Sequence, residues 1–276
     1  MIRYDDNPAL SVIPLSYLII AGGGGGGSGR GGGGGAGGYR TNYASETPGG
    51  PGTSTEAALS IAASTNYSVT IGAGGAAGPG MDKRGGKGGD SKYDSITSIG
   101  GGAGGAAFQP VSRDTEYTGS NQAVYTGGSG GGGAGQTPPA GPNSGHGGSA
   151  VSPTQPEQNP KVVQGYNGGD ANDFGNDGTG GGGAGAAGAS TPGQHATGGG
   201  GGGSIYNQAS ARGGTGVIIL RYPNTYTIAN PGGGLTLSTA TDGGSKVTTI
   251  THPSPTATCP VSDPSTGNAT GNISWS

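Results

Sequence analysis

The chain has 276 residues, 71 of them Gly, and a formal net charge of −3. Val, Ile, Leu and Phe together make up 12% of it, below the ~20% at which an ordinary core becomes doubtful, and each interior Gly costs a helix about 1 kcal/mol relative to Ala. These figures exclude a conventional enzyme domain built round one large aliphatic core and disfavour α-helix; with 10% charged residues they give no sign of a nucleic-acid-binding face or a polybasic membrane patch.

Three segments follow one another along the chain: 1–21, 22–216, and 217–276, which returns to a β-like composition with 7 Gly. Residues 1–21 contain no Gly and end in the β-rich Tyr17-Leu18-Ile19-Ile20-Ala21. This start lacks the basic region of a secretory signal, and 15–21 is too short to cross a bilayer. Residues 22–216 hold 64 of the Gly, in runs at 22–38, 72–80, 100–105, 127–135, 178–188 and 198–203. A threefold Gly frame holds within the first run and at 72, 75 and 78, but it shifts between runs, so a continuous collagen helix is excluded. A Gly chain in the left-handed polyproline-II geometry has three residues per turn and no internal hydrogen bonds, so every N–H and C=O points sideways. Alone it stays disordered, because ordering Gly costs the most backbone entropy. In an array, neighbouring chains satisfy one another laterally. In that form 22–38 is expected to span roughly 50 Å.

Apolar β segments bracket this region. Tyr17-Leu18-Ile19-Ile20 enters it and Val217-Ile218-Ile219-Leu220-Arg221-Tyr222 leaves it, and pairing them joins both ends at one base. A hairpin is expected from 59–63 and 67–71, with its turn at 64–66, and a further strand at 95–99. Such recurrent bookends distinguish the chain from a flexible Gly/Ser linker. The tail from 223 reads as separate β structure, with alternation at 225–228, 235–238 and 246–251, turns at 230–232 and 242–244, a Pro- and Ser-rich loop over 252–267, and a last strand at 273–275. The expected fold is therefore mostly β and irregular, essentially without α-helix. A small sheet base carries a bundle of Gly helices, followed by a C-terminal β module. The expected divisions are 1–21, 22–222 (closed by strands 15–21 and 217–222) and 223–276.

Side-chain chemistry is sparse. Cys259 is the one cysteine, which excludes an intrachain disulfide and a thiolate zinc site. Gly-x-Gly-x-x-Gly matches carry no information inside Gly runs, and 80–87 lacks the P-loop spacing. His146, His195 and His252 lie far apart and read as loop residues. In 168–178, Asp170, Asp173 and Asp177 sit among Gly and Asn, resembling one imperfect copy of a calcium-binding nonapeptide; they read either as hard-oxygen calcium ligands or as a solvated turn. No other cofactor is expected. Polyglycine has no side chains with which to discriminate, so recognition belongs to the intervening loops. Tyr93, Tyr117, Tyr125, Tyr166 and Phe174, flanked by small polar residues, are the receptor-binding candidates. The other reading is that such rings cover the outside of the bundle, as for Tyr39 and Tyr206.

The stretches Tyr17-Leu18-Ile19-Ile20-Ala21 followed by six Gly, Gly34-Gly35-Ala36-Gly37-Gly38-Tyr39-Arg40, Tyr67-Ser68-Val69-Thr70-Ile71-Gly72-Ala73-Gly74-Gly75 and Gly213-Gly214-Thr215-Gly216-Val217-Ile218-Ile219-Leu220-Arg221-Tyr222-Pro223 resemble, in that order, the glycine-rich domain of bacteriophage tail-fibre and adhesin proteins. The resemblance covers roughly 15–251; the stretches 81–99 and 136–177 and the 252–267 insert depart from it. It implies a virion protein with packed polyglycine-II helices and distal loops that touch the host surface. On that reading the chain is a non-enzymatic structural protein. Its partners are other virion tail proteins, a host saccharide or outer-membrane protein, and further copies of itself as a trimer or fibre; no nucleic acid or membrane insertion is expected. Alternatives are a self-assembling extracellular or capsid-decorating fibre that adds strands at 12–21 and 217–222, and an ice-binding protein. Regular columns of Thr or Ala, which the latter needs, are missing.

Overall fold

The computed structural model describes residues 12–46, 49, 55–80, 83–106, 126–134, 164–166, 196–204 and 209–276. Among these the ordered elements are strands, and no helix is present. One sheet runs β10 (Thr236–Asp242), β11 (Ser245–Thr251), β8 (Val217–Pro223), β1 (Val12–Ile20), β2 (Tyr39–Thr41), with β3 (Leu59–Ala62) also on β1. A second runs β7 (Ile96–Ser98), β6 (Ser91–Tyr93), β4 (Tyr67–Ile71), β13 (Ala269–Trp275), β9 (Ile228–Ala229). A two-residue pair, β5 (Gly74–Gly75) with β12 (Thr258–Cys259), is parallel.

Alternation builds the core. Along β1 the odd positions Ile13, Leu15, Tyr17 and Ile19 are buried, and Ile218, Leu220, Tyr222 and Ile250 join them on the same face. Val69, Ile71, Ile273 and Trp275 come from the second sheet, whose β6 packs across β1 and β8. Trp275 lies edge-on to Tyr67, Tyr93 and Tyr222, with centroids 5.8, 6.5 and 5.9 Å away. Such edge-to-face contacts are worth ~0.5–1.5 kcal/mol each beyond burial.

The Gly runs satisfy their backbone sideways, with a period of three. In 21–28, the N–H groups of Ala21, Gly24 and Gly27 donate to Gly38, Gly35 and Gly32, at 3.1, 2.8 and 2.9 Å. Those of Gly22, Gly25 and Ser28 donate to Gly89, Gly86 and Lys83, and those of Gly23 and Gly26 to Gly214 and Ala211. Partner numbers fall as donor numbers rise, so all three neighbours are antiparallel. The carbonyls turn to three other runs. Gly22 and Gly25 accept from Gly101 and Gly104, Gly23 and Gly26 from Gly75 and Gly78, Gly24 from the Gly201 N–H and Gly27 from the Ser204 hydroxyl. These three neighbours are parallel. The ring round 21–28 also closes on itself: 83–89 bonds 73–76, which bonds 213–216; 211–214 bonds 199–202; 198–201 bonds 34–37; 32–38 bonds 99–105; and 101–104 bonds 85–88. One buried run is thus enclosed by six, alternately antiparallel and parallel. A further run at 128–132 bonds to 33–36 and 100–105 on the outside.

Run ends are capped by side chains, as buried backbone groups require. Gly72 N–H donates to Ser91 Oγ, Gly100 N–H to Asp90 Oδ1, Ile99 N–H to Gln164 Oε1 and Ala73 N–H to Asn268 Oδ1, at 2.7–3.0 Å.

Five expectations change. The stretch 22–38 is not one 50 Å rod; Gly29 (φ 63°) and Arg30 (φ 67°) turn it back, so its halves bond each other. The strands at 59–62 and 67–71 form, but not as a hairpin: β3 pairs with β1, and β4 pairs with β13 and β6. Ser64, at φ 57°, carries the chain across, its N–H held by Trp275 O at 2.8 Å. Strand pairing also runs through the expected division at 222/223, because β11 lies along β8 and β13 along β4. The 252–267 segment is not merely a loop. Its β12 lies on Gly74 and Gly75, and Ala257 and Cys259 supply carbonyls to the Gly74 and Ala76 N–H groups. Lastly, most of 12–21 and 217–222 is not a free edge: β8 lies along Ser16–Ile20 of β1, β2 and β3 pair with Leu18–Ile20 and Val12–Leu15, and β8 itself lies between β1 and β11.

Cys259 is fully buried, and burial, followed by the nearby Asp90 and Asp263 charges, pushes its thiol up to about 12. The unfolded chain releases that proton from about pH 9, so between about 9 and 12 it binds fewer protons than the folded chain. Stability is unaffected below that window and falls as pH rises through it. Melting temperature followed against pH is expected to decline from about pH 9. In Cys259→Ala the decline begins nearer pH 10, where the tyrosines take over, Tyr39 being itself pushed up to about 12 by burial and by its bond to Glu46. An unchanged onset in the variant would refute the assignment.

Candidate functional site

Two regions combine exposure with side-chain chemistry. The first is the end of the Gly lattice remote from the sheets. The central run leaves β1 at Ile20, and at its far end Ser28 meets Lys83, whose carbonyl accepts the Ser28 N–H at 2.9 Å. The Ser28 hydroxyl also donates to the carbonyl of Gly80. The turn at 29–31 lies at this end, as do Gly78, Gly80, Lys83, Ser204 and Ala211, which bond to 26–28. This convergence of run ends follows from lateral bonding and was not readable in the sequence.

The second region is a recess of about 250 Å³ on the outer face of the first sheet. Leu18, Ile219 and Val247 form its floor, and Tyr43, Glu46 and Arg221 its rim. These residues come from three strands and the segment after β2, so no local motif marks them. Arg221 pairs with Asp242 and stands 5.9 Å from the centre of the Tyr43 ring. Glu46 accepts the Tyr39 hydroxyl at 3.0 Å. An apolar floor with a partly exposed ring (Tyr43, 41% exposed) can hold an apolar or ring-shaped group by contact.

Behind this recess lies a buried ionic network. Arg40 donates to Glu56 through Nε at 3.0 Å and through its terminal nitrogen at 2.5 Å, and to the Thr97 carbonyl at 3.1 Å. The Tyr17 hydroxyl donates to the same Glu56 carboxylate at 3.0 Å. Burial, then the Glu56 charge, holds the Tyr17 phenol well above its ordinary range. With side-chain exposures of 4% for Arg40 and 3% for Glu56, the network ties β2 to β1 and to β7 and is almost wholly shielded from solvent.

The receptor candidates are placed differently from one another. Tyr93 is corrected: it is 1% exposed, stacked on Tyr67 at 5.9 Å, and belongs to the core, because alternation in β6 turns its ring inward. Tyr166 is 55% exposed. It lies beside the outer run, where its carbonyl accepts from Gly130 and its N–H donates to Ser129 Oγ. Tyr117, Tyr125, Phe174 and the calcium candidates Asp170, Asp173 and Asp177 lie outside the described residues. Among the described residues no three His, Cys, Asp or Glu side chains gather as a metal site.

With this geometry in place, the match to known families is direct: the sequence model of the glycine-rich domain fits residues 8–223. The chain belongs to the glycine-rich domain family. No curated protein and no solved structure matches it. The matched span begins ahead of β1 and ends with β8, so β9 to β13 lie beyond it, although β11 and β13 complete the two sheets of the domain.

Proposed function

We propose that this glycine-rich domain is a non-enzymatic attachment component of a bacteriophage tail fibre, with a body of packed polyglycine-II helices that presents loops to a host surface. The observation that carries the reading is the one-in-six lattice. The period-three bonding is what a chain with three residues per turn gives, and such a body has no side chains with which to recognise or transform a ligand. It is anchored on sheets at one end, which leaves the connections at the other end free to vary without disturbing the bundle. The partners that fit are other tail proteins at the sheet end and a host saccharide or outer-membrane protein at the loops.

Mass spectrometry of particles purified from the source sample tests this, using the tryptic peptide 93–113 as reporter. Recovery with tailed virions at low copy number is the expected result. Recovery at high copy in filaments free of virions would overturn it and make subunit assembly the function.

A further inference from the structure

Among the described residues the strands that end the two larger sheets are short, with one exception: β2 and β7 have 3 residues, β3 has 4 and β9 has 2. The exception is β10, with 7 residues. It pairs with β11 in an unbroken register from Thr236↔Thr251 to Asp242↔Ser245, and among the described residues nothing pairs with its other side. All of its residues except Leu237 are exposed. Native edges are ordinarily blunted by Lys, Pro, a bulge or brevity. Here Thr-Leu-Ser-Thr-Ala-Thr-Asp has none of these, and its one charge, Asp242, is engaged by Arg221.

We propose that β10 docks against β10 of a second copy of this chain, antiparallel about a two-fold axis at Thr239. The two-residue connection 243–244 makes Asp242 and Ser245 a bonded pair, so Thr236, Ser238, Ala240 and Asp242 bond to β11. The backbone groups of Leu237, Thr239 and Thr241 therefore face outward. A two-fold at Thr239 sets Thr239 opposite its counterpart and each Leu237 opposite the other copy's Thr241, giving about six hydrogen bonds. Thr–Thr pairs of this kind are favourable across strands. The two Asp242 carboxylates lie at opposite ends, roughly 20 Å apart, beyond the ~8–10 Å screening length. A parallel pairing would instead set them side by side. The two-fold also consumes both edges, so the assembly closes as a dimer rather than growing as a filament. This inference does not depend on the attachment role proposed above.

The test combines sedimentation equilibrium with two variants of the full chain. The wild type is expected to be a dimer. Thr239→Pro removes an N–H that faces away from β11, so it should give a monomer. Thr239→Cys should form an interchain disulfide on mild oxidation, because opposed Cα atoms ~5.5 Å apart suit one and the native Cys259 is buried. The cysteine variant reads the same contact even where the proline variant fails to fold. A monomeric wild type at every concentration, or a Cys variant that stays reduced, overturns the proposal.

Discussion

Gly24→Ala is expected to lower stability by about 3 kcal/mol or more, the upper range for overpacking a close-packed interior. Gly24 lies in the enclosed run, and a methyl group there would sit well inside contact distance of the Gly102 carbonyl, a rigid backbone group rather than a flexible side chain. The methyl cannot be accommodated by a rotamer change. It must push apart the runs 21–28 and 101–104, which are held together by the bonds from the Gly101 N–H to the Gly22 carbonyl and from the Gly104 N–H to the Gly25 carbonyl. Each buried group left unpaired adds ~1–3 kcal/mol. At ~2–4 °C per kcal/mol for a chain of this size, the melting temperature should fall by about 6–12 °C. Gly244→Ala is the control, because a methyl there meets nothing within 4 Å, and its melting temperature should stay within about 2 °C of the wild type. Equal melting of the two variants would mean that 21–28 is not enclosed.

Glu56→Ala is expected to cost about 3–5 kcal/mol, because it strands the Arg40 guanidinium in the interior. The loss is mainly the cost of an uncompensated buried charge, and a second substitution separates that cost from the value of the pair. Adding Arg40→Met to Glu56→Ala should recover more than half of the lost stability, since apolar replacement of a buried ion pair is often close to neutral. Chemical denaturation of the wild type, both single variants and the double variant measures the coupling. A double variant no more stable than Glu56→Ala would show that the network contributes through its bonds to Thr97 and Tyr17 rather than through its charges.

Much of the fold was legible because strands and Gly runs announce themselves locally. Ile13, Leu15, Tyr17 and Ile19 alternate with exposed or half-exposed residues, and the pairing of Ile20 with Val217 follows from two apolar segments that flank the Gly region. The Gly frame of three, readable within 22–38, reappears as three columns of donors. The separate fates of β3 and β4 were not legible. A short turn between alternating strands specifies a hairpin locally, yet each strand buried its apolar face against a different sheet. Tyr93 misled for a similar reason. A ring between Lys92 and Asp94 reads as a loop aromatic, and only the pairing of β6 with β4 and β7 turns it into the core.

By itself the amino-acid sequence determined the chemistry of this protein: β-rich segments at either end, a body too poor in side chains for a large core, and backbone amides that must find partners in neighbouring chain. It could not determine which run lies in the middle or which neighbours surround it. Every Gly offers the same N–H and C=O, so the runs are chemically interchangeable, and nothing local distinguishes 21–28 from 198–204. Tertiary structure decided this through the few groups that are not interchangeable. The strand pairs β1–β8 and β4–β13, the turn at Gly29 and Arg30, and the capping side chains Asp90, Ser91, Gln164 and Asn268 set where each run starts and which way it points. The lateral hydrogen bonds then follow.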